Sequence, residues 1–313
     1  MSNTKKSFLT WAEIDVAALK NNIRALKRSV GDDVILAPCV KANAYGHGIF
    51  PISKLLIQNG ADWLCVNSID EAVKLRDSGI TSPIYILGYV MEKDSPEVVN
   101  QNFRIVVYNK PTLLGLSKAA NKLKKNINVH LKLETGNNRQ GILMEDIVTF
   151  AKFAKKLPGI NIEGISTHFA NIEDSLKQNY AKSQLENFKK VIAELNKVGI
   201  KIPLRNCANS AATILFPETH FELVRPGIAV YGLWPSNEVK IMAKKKRLNI
   251  TLKPVLSWKT RIAQIKEIPA GSYVGYGCTY RTKRKTKLAI LPVGYYDGYD
   301  RGFSNKSCVL IHG

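Results

Sequence analysis

The sequence predicts an α/β protein made of two parts, a (β/α)8 barrel followed by a separate and mainly antiparallel β domain. Strand-like apolar runs alternate with helix-like runs up to about residue 240, which is the pattern of a barrel of parallel strands. From about residue 250 the chain carries β-forming residues and turn signals without helical patterns between them. We therefore expect a barrel over residues 1–240 and a β domain over residues 241–313.

Eight runs in the first part have the apolar composition of buried parallel strands. The segments between them carry helix end signals: Asp15 can cap a helix that Gly31 closes, and Ser68 with Glu71 forms a capping box. A doubly wound open sheet is the alternative, but the G-x-G-x-x-G turn that often follows its first strand is absent. The eight runs cover residues 34–41, 62–67, 83–88, 104–108, 128–134, 161–168, 204–208 and 223–231.

The second part is short for a β domain. Its strand-like runs cover residues 252–268, 272–276, 287–293 and 308–312, and the lysine-rich stretch 241–249 is expected to be a connecting loop. A few strands of this total length barely close a core, and an apolar strand at the chain end would leave an uncovered edge. We therefore expect this domain to be incomplete, truncated at its C-terminus.

The composition narrows the class of protein. The chain has 313 residues, of which 45% are hydrophobic and 23% charged, as is typical of globular proteins. It has no apolar run approaching ~18 residues and no leader-like N-terminus, so we expect neither a membrane span nor export. The five cysteines are widely spaced and lack a C-x-x-C pair, which indicates the cytoplasm, without a disulfide framework or a metal site.

The formal net charge of +21 is the unusual bulk property. Such an excess of lysine and arginine is typical of proteins that bind nucleic acid. Here it is spread along the chain, and the two denser clusters, residues 244–247 and 281–285, contain no aromatic residues that could stack on bases. We therefore expect no nucleic acid partner. A field that attracts an anionic cofactor or substrate, or a general bias toward lysine, would account for the charge.

The segment from Val40 to Gly48 carries the strongest single signal. Lys41 stands where an apolar run ends, and the small residues and the Gly-His-Gly turn after it leave room for a ligand beside the backbone. An amine at the mouth of a barrel can attack an aldehyde. A lone lysine at a strand end more often only extends into solvent. The residues at the other strand ends must therefore show whether Lys41 belongs to a binding site.

Polar groups follow at the ends of four later strands, where the active site of such a barrel lies. Because these strand ends meet at one rim, we expect the polar groups to surround Lys41. The segments that carry them are 132–141 after the fifth strand, 166–170 after the sixth, 207–211 after the seventh and 224–232 in the eighth.

These motifs, in this order, resemble those of the alanine racemase family, and the resemblance runs from about Ala12 to the last residue. It implies that Lys41 is joined covalently to pyridoxal phosphate and that Arg225 donates to the pyridine nitrogen. Arg139 would also contact the substrate carboxylate, and Lys132 matches a position that is carbamylated in some members, where it holds this arginine. The further cofactor contacts implied by the resemblance are Tyr45, Arg139, His168, Asn209, Ser210, Gly227 and Ile228.

The resemblance extends into the β domain. Tyr276, within the segment 274–280, resembles the family's second catalytic base, which is assisted by the histidine matching His168. In the family that histidine is hydrogen-bonded to the arginine matching Arg225. The tyrosine comes from the other subunit, so a head-to-tail homodimer with shared active sites is implied. Tyr295 and Arg301 match residues that line the path of the substrate and help to bind it.

The implied activity is an amino-acid isomerase that interconverts L-alanine and D-alanine by two-base proton transfer at Cα and supplies D-alanine for peptidoglycan. Lys41, Tyr276, His168 and Arg225 would be its catalytic residues, without a metal. Two alternatives that bind the same cofactor remain open: a racemase of broader amino-acid specificity, and, in another class, a protein that binds pyridoxal phosphate but is catalytically impaired by the missing C-terminal segment. A nucleic-acid binder, suggested by the charge alone, is the third.

Overall fold

The computed structural model describes residues 8–174 and 178–311 and divides the chain into two units. The larger unit is Asp15–Val255. The smaller unit joins the described residues before Asp15, including the strand β1 (Thr10–Ile14), to those after Val255.

Eight parallel strands curl into a barrel in the larger unit. They are β2 (Ile35–Leu36), β3 (Leu64–Val66), β4 (Ile84–Ile86), β5 (Arg104–Val107), β6 (Ile127–Lys132), β7 (Ile160–Ser166), β8 (Leu204–Asn206) and β9 (Leu223–Val224). The strands β3 to β8 form one sheet in sequence order, and β2 pairs with β9. Two backbone hydrogen bonds complete the ring beyond the strand ends: Val40 N to Cys65 O (2.8 Å) and Arg225 N to Ala208 O (2.9 Å). The predicted (β/α)8 barrel is confirmed, and each strand overlaps its predicted run.

The helices follow the strands, and two of them begin at the predicted signals. The side chain of Asp15 accepts a hydrogen bond from Ala18 N (2.8 Å) and Gly31 ends that helix, while Ser68 and Glu71 form the predicted capping box. The helical segments of this unit are α1 (Val16–Val30), α2 (Lys41–Tyr45), α3 (Ile49–Ile57), α4 (Ile69–Asp77), α5 (Ser95–Asn100), α6 (Lys110–Leu123), α7 (Ile147–Lys156), α8 (Asn179–Lys197), α9 (Ser210–Leu215) and α10 (Asn237–Lys245), with single 3-10 turns at Glu92–Asp94, Pro217–Thr219 and Ile228–Tyr231.

Aromatic and small side chains fill the interior of the barrel. Trp63 and Tyr85 lie edge to face with ring centroids 6.4 Å apart. Around them lie Ala37, Cys39, Cys65, Val106 and Leu223, all buried. The core therefore closes the barrel below the level at which the strand ends present their polar residues.

The division between the units lies after residue 255, whereas the sequence placed it after residue 240. The lysine-rich stretch 241–249 was expected to be a loop, but its first half, residues 241–245, belongs to the helix α10. Just after this helix, Lys246 Nζ donates to Leu215 O (3.1 Å). Asn22 Nδ2 donates to Lys253 O (2.8 Å), and Val255 N donates to Tyr231 O (3.1 Å). These hydrogen bonds tie residues 241–255 to the barrel unit, and no local sequence signal announces them.

The smaller unit contains three antiparallel strand pairs. Strand β1 pairs with β10 (Leu256–Thr260), β11 (Gln264–Ile268) pairs with β14 (Thr286–Ile290), and β12 (Tyr273–Val274) pairs with β13 (Tyr280–Arg281). Its 3-10 turns are Tyr276–Cys278, Tyr295–Asp297 and Arg301–Phe303. The predicted strand at 308–312 is not formed over its described residues 308–311, since no strand beside it accepts its hydrogen bonds there. Residue 312 lies outside the described part.

Three further features concern the whole described chain. Among its described helices, none has the length and apolarity needed to cross a bilayer. The described ranges hold no cluster of three His, Cys, Asp or Glu side chains that could bind a metal ion. All five cysteines are free thiols, of which Cys39, Cys65 and Cys207 are buried.

Candidate active site

A cavity of about 370 Å³ opens at the C-terminal ends of the barrel strands. This volume lies in the range of small-molecule sites. The cavity brings together every site residue that the sequence predicted in this unit: Lys41, Tyr45, Arg139, His168, Asn209, Ser210, Arg225, Gly227 and Ile228. Residues from strand ends that are far apart in the sequence therefore share one wall, as the barrel requires.

The segment after Lys41 has an unusual backbone. Four consecutive residues, Ala42, Asn43, Ala44 and Tyr45, have φ between 51° and 55°. An L-residue in this left-handed region is disfavoured by roughly 1–2 kcal/mol, so such a run needs support from its surroundings.

Side chains from neighbouring segments supply that support. Glu71 Oε1 accepts a hydrogen bond from Ala42 N (2.6 Å), and Asn43 Oδ1 accepts one from Ile49 N (2.9 Å). The ring nitrogen Nδ1 of His47 lies 3.0 Å from Ala44 O. The turn thus fixes both Lys41 and Tyr45 at the cavity wall and directs the chain into α3.

Ser210 organises one end of the cavity. Its Oγ accepts hydrogen bonds from Gly227 N (2.8 Å) and Ala229 N (3.2 Å), so its hydroxyl proton remains available for a ligand. Ser210 is not the cap of its helix, because Asn209 Oδ1 accepts from Ala212 N (3.1 Å) and takes that role. The N–H of Ile228 has no acceptor among the described residues and is a second free donor.

Tyr45 and Gly227 form the opposite side of this end. A Cβ built at Gly227 would lie 2.6 Å from Tyr45 Oη, so only glycine leaves this hydroxyl in place. The Tyr45 ring packs against Tyr231 with centroids 5.0 Å apart. Burial raises the pKa of Tyr45, so its phenol keeps its proton and can donate.

Arg225 is buried and held by two acceptors. Its Nε donates to Asn206 Oδ1 (2.7 Å) and its Nη2 donates to Thr167 O (2.8 Å). Nη1 has no protein acceptor within the described ranges. The resemblance implied a hydrogen bond between His168 and Arg225, but among the described residues the guanidinium donates to Asn206 and Thr167 O and not to His168.

His168 is a neutral group in this cavity. Burial, and then the positive charges of Arg225 and Lys132, lower its pKa to about 2. A histidine in this state can accept or donate a hydrogen bond, but it carries no charge at neutral pH.

The cavity wall is strongly positive. Lys41, Arg139 and Arg225 line it together with the amine of Lys132, and among the described lining residues the one carboxylate is Glu173, whose Oε1 accepts from Asn209 Nδ2 (2.7 Å). Burial, followed by the charges of Arg225 and Arg139, holds the pKa of Lys132 well below its usual range. The cavity therefore suits an anionic ligand.

The hydroxyls of Tyr45 and Ser210 and the free N–H of Ile228 form a donor set of the kind that holds phosphate without a net charge. The missing Cβ of Gly227 leaves space between them. Together with an amine in the same cavity, these residues fit pyridoxal phosphate.

The remaining predicted site residues belong to the smaller unit. Tyr276, Tyr295 and Arg301 line a second cavity of about 330 Å³ there, and Tyr276 is 79% exposed. Sequence reasoning missed Gln140 and Glu173 on the wall of the barrel cavity and Asn206 behind it. Gln140 directly follows Arg139, and Asn206 stands three residues before Asn209, so both lay beside motifs that were recognised.

Two family models match the chain: "Alanine racemase, N-terminal domain" over residues 14–235 and "Alanine racemase, C-terminal domain" over residues 255–313. A curated alanine racemase of Methanococcus maripaludis is 42% identical over 304 residues, which are 97% of this chain and 79% of the relative. One of Halothermothrix orenii is also 42% identical and is covered to 78%.

Solved structures agree in fold. An alanine racemase from a D-cycloserine-producing Streptomyces lavendulae superposes with a TM-score of 0.91 at 33% identity, over 99% of this chain and 80% of that one. The Bartonella henselae alanine racemase with covalently bound pyridoxal phosphate gives a TM-score of 0.82 at 29% identity, over 95% of this chain and 79% of that one. With a barrel, a lysine-bearing cavity and two family models that cover most of its length, the chain belongs to the alanine racemase family.

Proposed function

We propose that this chain is a pyridoxal-phosphate-dependent racemase that interconverts L-alanine and D-alanine. The observation that carries the proposal is the meeting of Lys41, Arg225 and the donors of the phosphate end in one cavity. The curated names of the relatives favour alanine over a broader range of amino acids. The product D-alanine would serve peptidoglycan synthesis in the cytoplasm, which agrees with five free thiols.

Each part of the cofactor would have a partner on the cavity wall. Lys41 Nζ would form the covalent link, and Arg225 would donate to the ring nitrogen. The hydroxyls of Tyr45 and Ser210 and the N–H of Ile228 would donate to the phosphate. Arg139 would face the phenolic oxygen and the substrate carboxylate, and Asn209 would order the start of α9 beside the phosphate.

Arg225 determines which reaction is favoured. When bound, pyridoxal phosphate withdraws electrons from Cα of the attached amino acid and so weakens its Cα–H bond. A guanidinium does not release its proton, so Arg225 would donate to the ring nitrogen without protonating it. The weaker electron withdrawal that results favours loss and return of one proton over reactions that need a stronger sink.

Inversion at Cα needs a base on each face of the substrate. Lys41 would reach one face, and we assign Tyr276 to the other. His168 stays neutral because burial and the charge of Arg225 lower its pKa to about 2, so it would serve as a hydrogen-bond partner of the phenol.

The assignment of Tyr276 requires a second copy of the chain. We propose a homodimer in which Tyr276 of each subunit completes the site of its partner. Tyr295 and Arg301 lie on the same cavity of the smaller unit as Tyr276 and would line the path of the substrate.

Lys132 has the properties of a lysine that takes up carbon dioxide. Because its pKa is held low by burial and by Arg225, the neutral amine can add carbon dioxide and release one proton to give a carbamate. The carbamate anion would be stabilised by Arg139 and Arg225. Uptake of labelled carbon from bicarbonate, detected by NMR and lost in Lys132→Gln, would support this assignment; labelling that persists in Lys132→Gln would oppose it.

The activity is tested by exchange in heavy water. We expect deuterium at Cα of L-alanine together with the appearance of D-alanine, and loss of both in Lys41→Ala. In Tyr276→Phe, exchange from one enantiomer should be lost while the other is retained. Equal loss from both enantiomers would contradict the two-base assignment, and no exchange in the wild type would contradict the activity.

A further inference from the structure

The pairing of β6 with β7 contains an irregularity beside a buried histidine. Val129 is paired with Ile162, but the next residue, His130, is paired with Gly164, so Glu163 is an extra residue in β7. Such a bulge redirects a side chain, and bulges are frequent next to functional sites. Here it allows Glu163 Oε2 to lie 3.1 Å from His130 Nε2 inside the barrel wall.

Gly164 makes room for this histidine. A Cβ built at Gly164 would overlap the His130 ring, and Gly164 does not have the positive φ that would by itself favour glycine. The ring is completely buried and lies 4.4 Å from the Tyr85 ring, centroid to centroid. Two independent features of β7 therefore accommodate His130: the bulge brings Glu163 to its ring, and the glycine leaves space for the ring.

A chain of hydrogen bonds continues from His130 to Arg225. Asn206 Nδ2 lies 3.4 Å from His130 Nδ1, and Asn206 Oδ1 accepts from Arg225 Nε at 2.7 Å. Asn206 Nδ2 also donates to Ile165 O (3.4 Å), which fixes the orientation of the amide. The chain thus runs from the cavity through the interior of the barrel to Glu163.

The donors and acceptors in this chain can be ordered in one way. Arg225 can only donate, so Asn206 Oδ1 accepts and its amide N–H donates to His130 Nδ1. His130 must then carry its proton on Nε2 and donate it to the Glu163 carboxylate. Burial lowers the pKa of His130 despite Glu163, which keeps the ring neutral as this order requires.

The far end of the chain is held by Arg104. Its Nε lies 3.4 Å from Glu163 Oε2, and its guanidinium lies over the Trp63 ring, 5.2 Å from the centroid. Burial raises the pKa of Glu163, but the hydrogen bond from His130 and the charge of Arg104 outweigh it, so this carboxyl is ionised at neutral pH.

We propose that Glu163, His130 and Asn206 are positioning residues that hold the Arg225 guanidinium in the orientation it presents to the cofactor ring. The inference rests on the proposed function only in taking Arg225 as the partner of the ring nitrogen. Without the chain, Arg225 would keep one acceptor, Thr167 O, and could turn about it.

The hydrogen-bond order is tested without altering the chain. Nitrogen NMR of the holoenzyme with isotopically labelled histidine should show His130 as a neutral ring protonated on Nε2, with the signal assigned by its loss in His130→Phe or, if that variant does not fold, by its contacts with Tyr85. A ring protonated on Nδ1, or on both nitrogens, would overturn the proposal. This result does not depend on catalysis.

The effect on Arg225 is tested by Asn206→Leu and His130→Phe. We expect the dissociation constant of pyridoxal phosphate to rise on the order of 10-fold, as is typical for loss of an outer hydrogen-bond partner, and the visible absorbance of the bound cofactor to shift. The matched control is His220→Phe, which removes another buried histidine whose Nε2 meets Thr213 O at 3.0 Å. It should leave the absorbance unchanged.

Wild-type absorbance and affinity in both Asn206→Leu and His130→Phe would overturn the proposal, and so would an equal shift in His220→Phe. If neither variant folds, the NMR result decides. A wild-type protein that stays colourless with pyridoxal phosphate would instead contradict the proposed function, while the NMR result on His130 would still stand.

Discussion

Tyr45 and Gly227 face each other so closely that a Cβ at position 227 would lie 2.6 Å from Tyr45 Oη. The two residues come from opposite ends of the barrel sequence, after β2 and after β9. Their contact sets the width of the end of the cavity that we assign to phosphate.

The variant Gly227→Ala should therefore weaken binding of pyridoxal phosphate. A rise in its dissociation constant of about 10-fold corresponds to ~1.4 kcal/mol, a modest overpacking cost. In a Tyr45→Phe background the same substitution should cost less, because the nearest ring atom would then be Cζ, 3.3 Å away. Fluorescence titration of the four proteins measures this; fully additive losses would show that the two residues do not compete for the space.

Ala42→Gly should stabilise the protein, although alanine-to-glycine changes usually do the reverse. Ala42 is exposed and has φ of 51°, which costs an L-residue roughly 1–2 kcal/mol and costs glycine nothing. After subtraction of the entropy of glycine, about 0.5–1 kcal/mol of stabilisation should remain.

The matched control is Ala193→Gly on the exposed face of α8, which should destabilise by about 0.5–1 kcal/mol. Urea unfolding of both variants provides the measurement. Equal destabilisation at both positions would mean that the left-handed turn carries no strain.

Stability should fall as the pH drops below about 6.5. His130, His168 and His220 all have pKa values lowered by burial, that of His168 to about 2, from an ordinary value of 6.5. Below about pH 6.5 the histidines of the unfolded chain bind protons that those of the folded chain do not. The contribution of the three histidines to the free energy of unfolding is therefore fully present above about pH 6.5 and is lost as the pH falls. Each histidine adds up to about 1.4 kcal/mol per pH unit to the slope.

The variant His168→Gln isolates one of these contributions. Between about pH 6.5 and pH 5, its free energy of unfolding should fall less steeply than that of the wild type, by up to the slope of one proton. Denaturation series at several pH values would detect the difference. Parallel slopes would indicate that His168 is already protonated in the folded protein.

Much of the architecture follows from local sequence. The apolar runs could be recognised as barrel strands because a strand that is buried on both faces is apolar along its whole length. Asp15, Ser68 and Glu71 mark helix starts because their side chains satisfy backbone N–H groups a few residues away. Lys41, His168, Ser210 and Arg225 were found because strand ends of a barrel share one rim.

The features that escaped prediction depend on distant contacts. Strand β1 pairs with β10 across the whole barrel sequence, which assigns it to the smaller unit. The left-handed turn after Lys41 contains two alanines, residues that favour right-handed helices, and it is held by Glu71 from another helix. Asn206 and His130 are 76 residues apart, and the bulge that brings Glu163 to His130 has no local signal.

The central claim is that Lys41 is the lysine to which pyridoxal phosphate is joined. The most direct measurement is borohydride reduction of the coloured protein, followed by digestion and mass spectrometry of the labelled peptide. The account predicts a single modified lysine, Lys41, and no colour in Lys41→Ala. Label on another lysine, or a wild-type protein that takes up no pyridoxal phosphate, would contradict it.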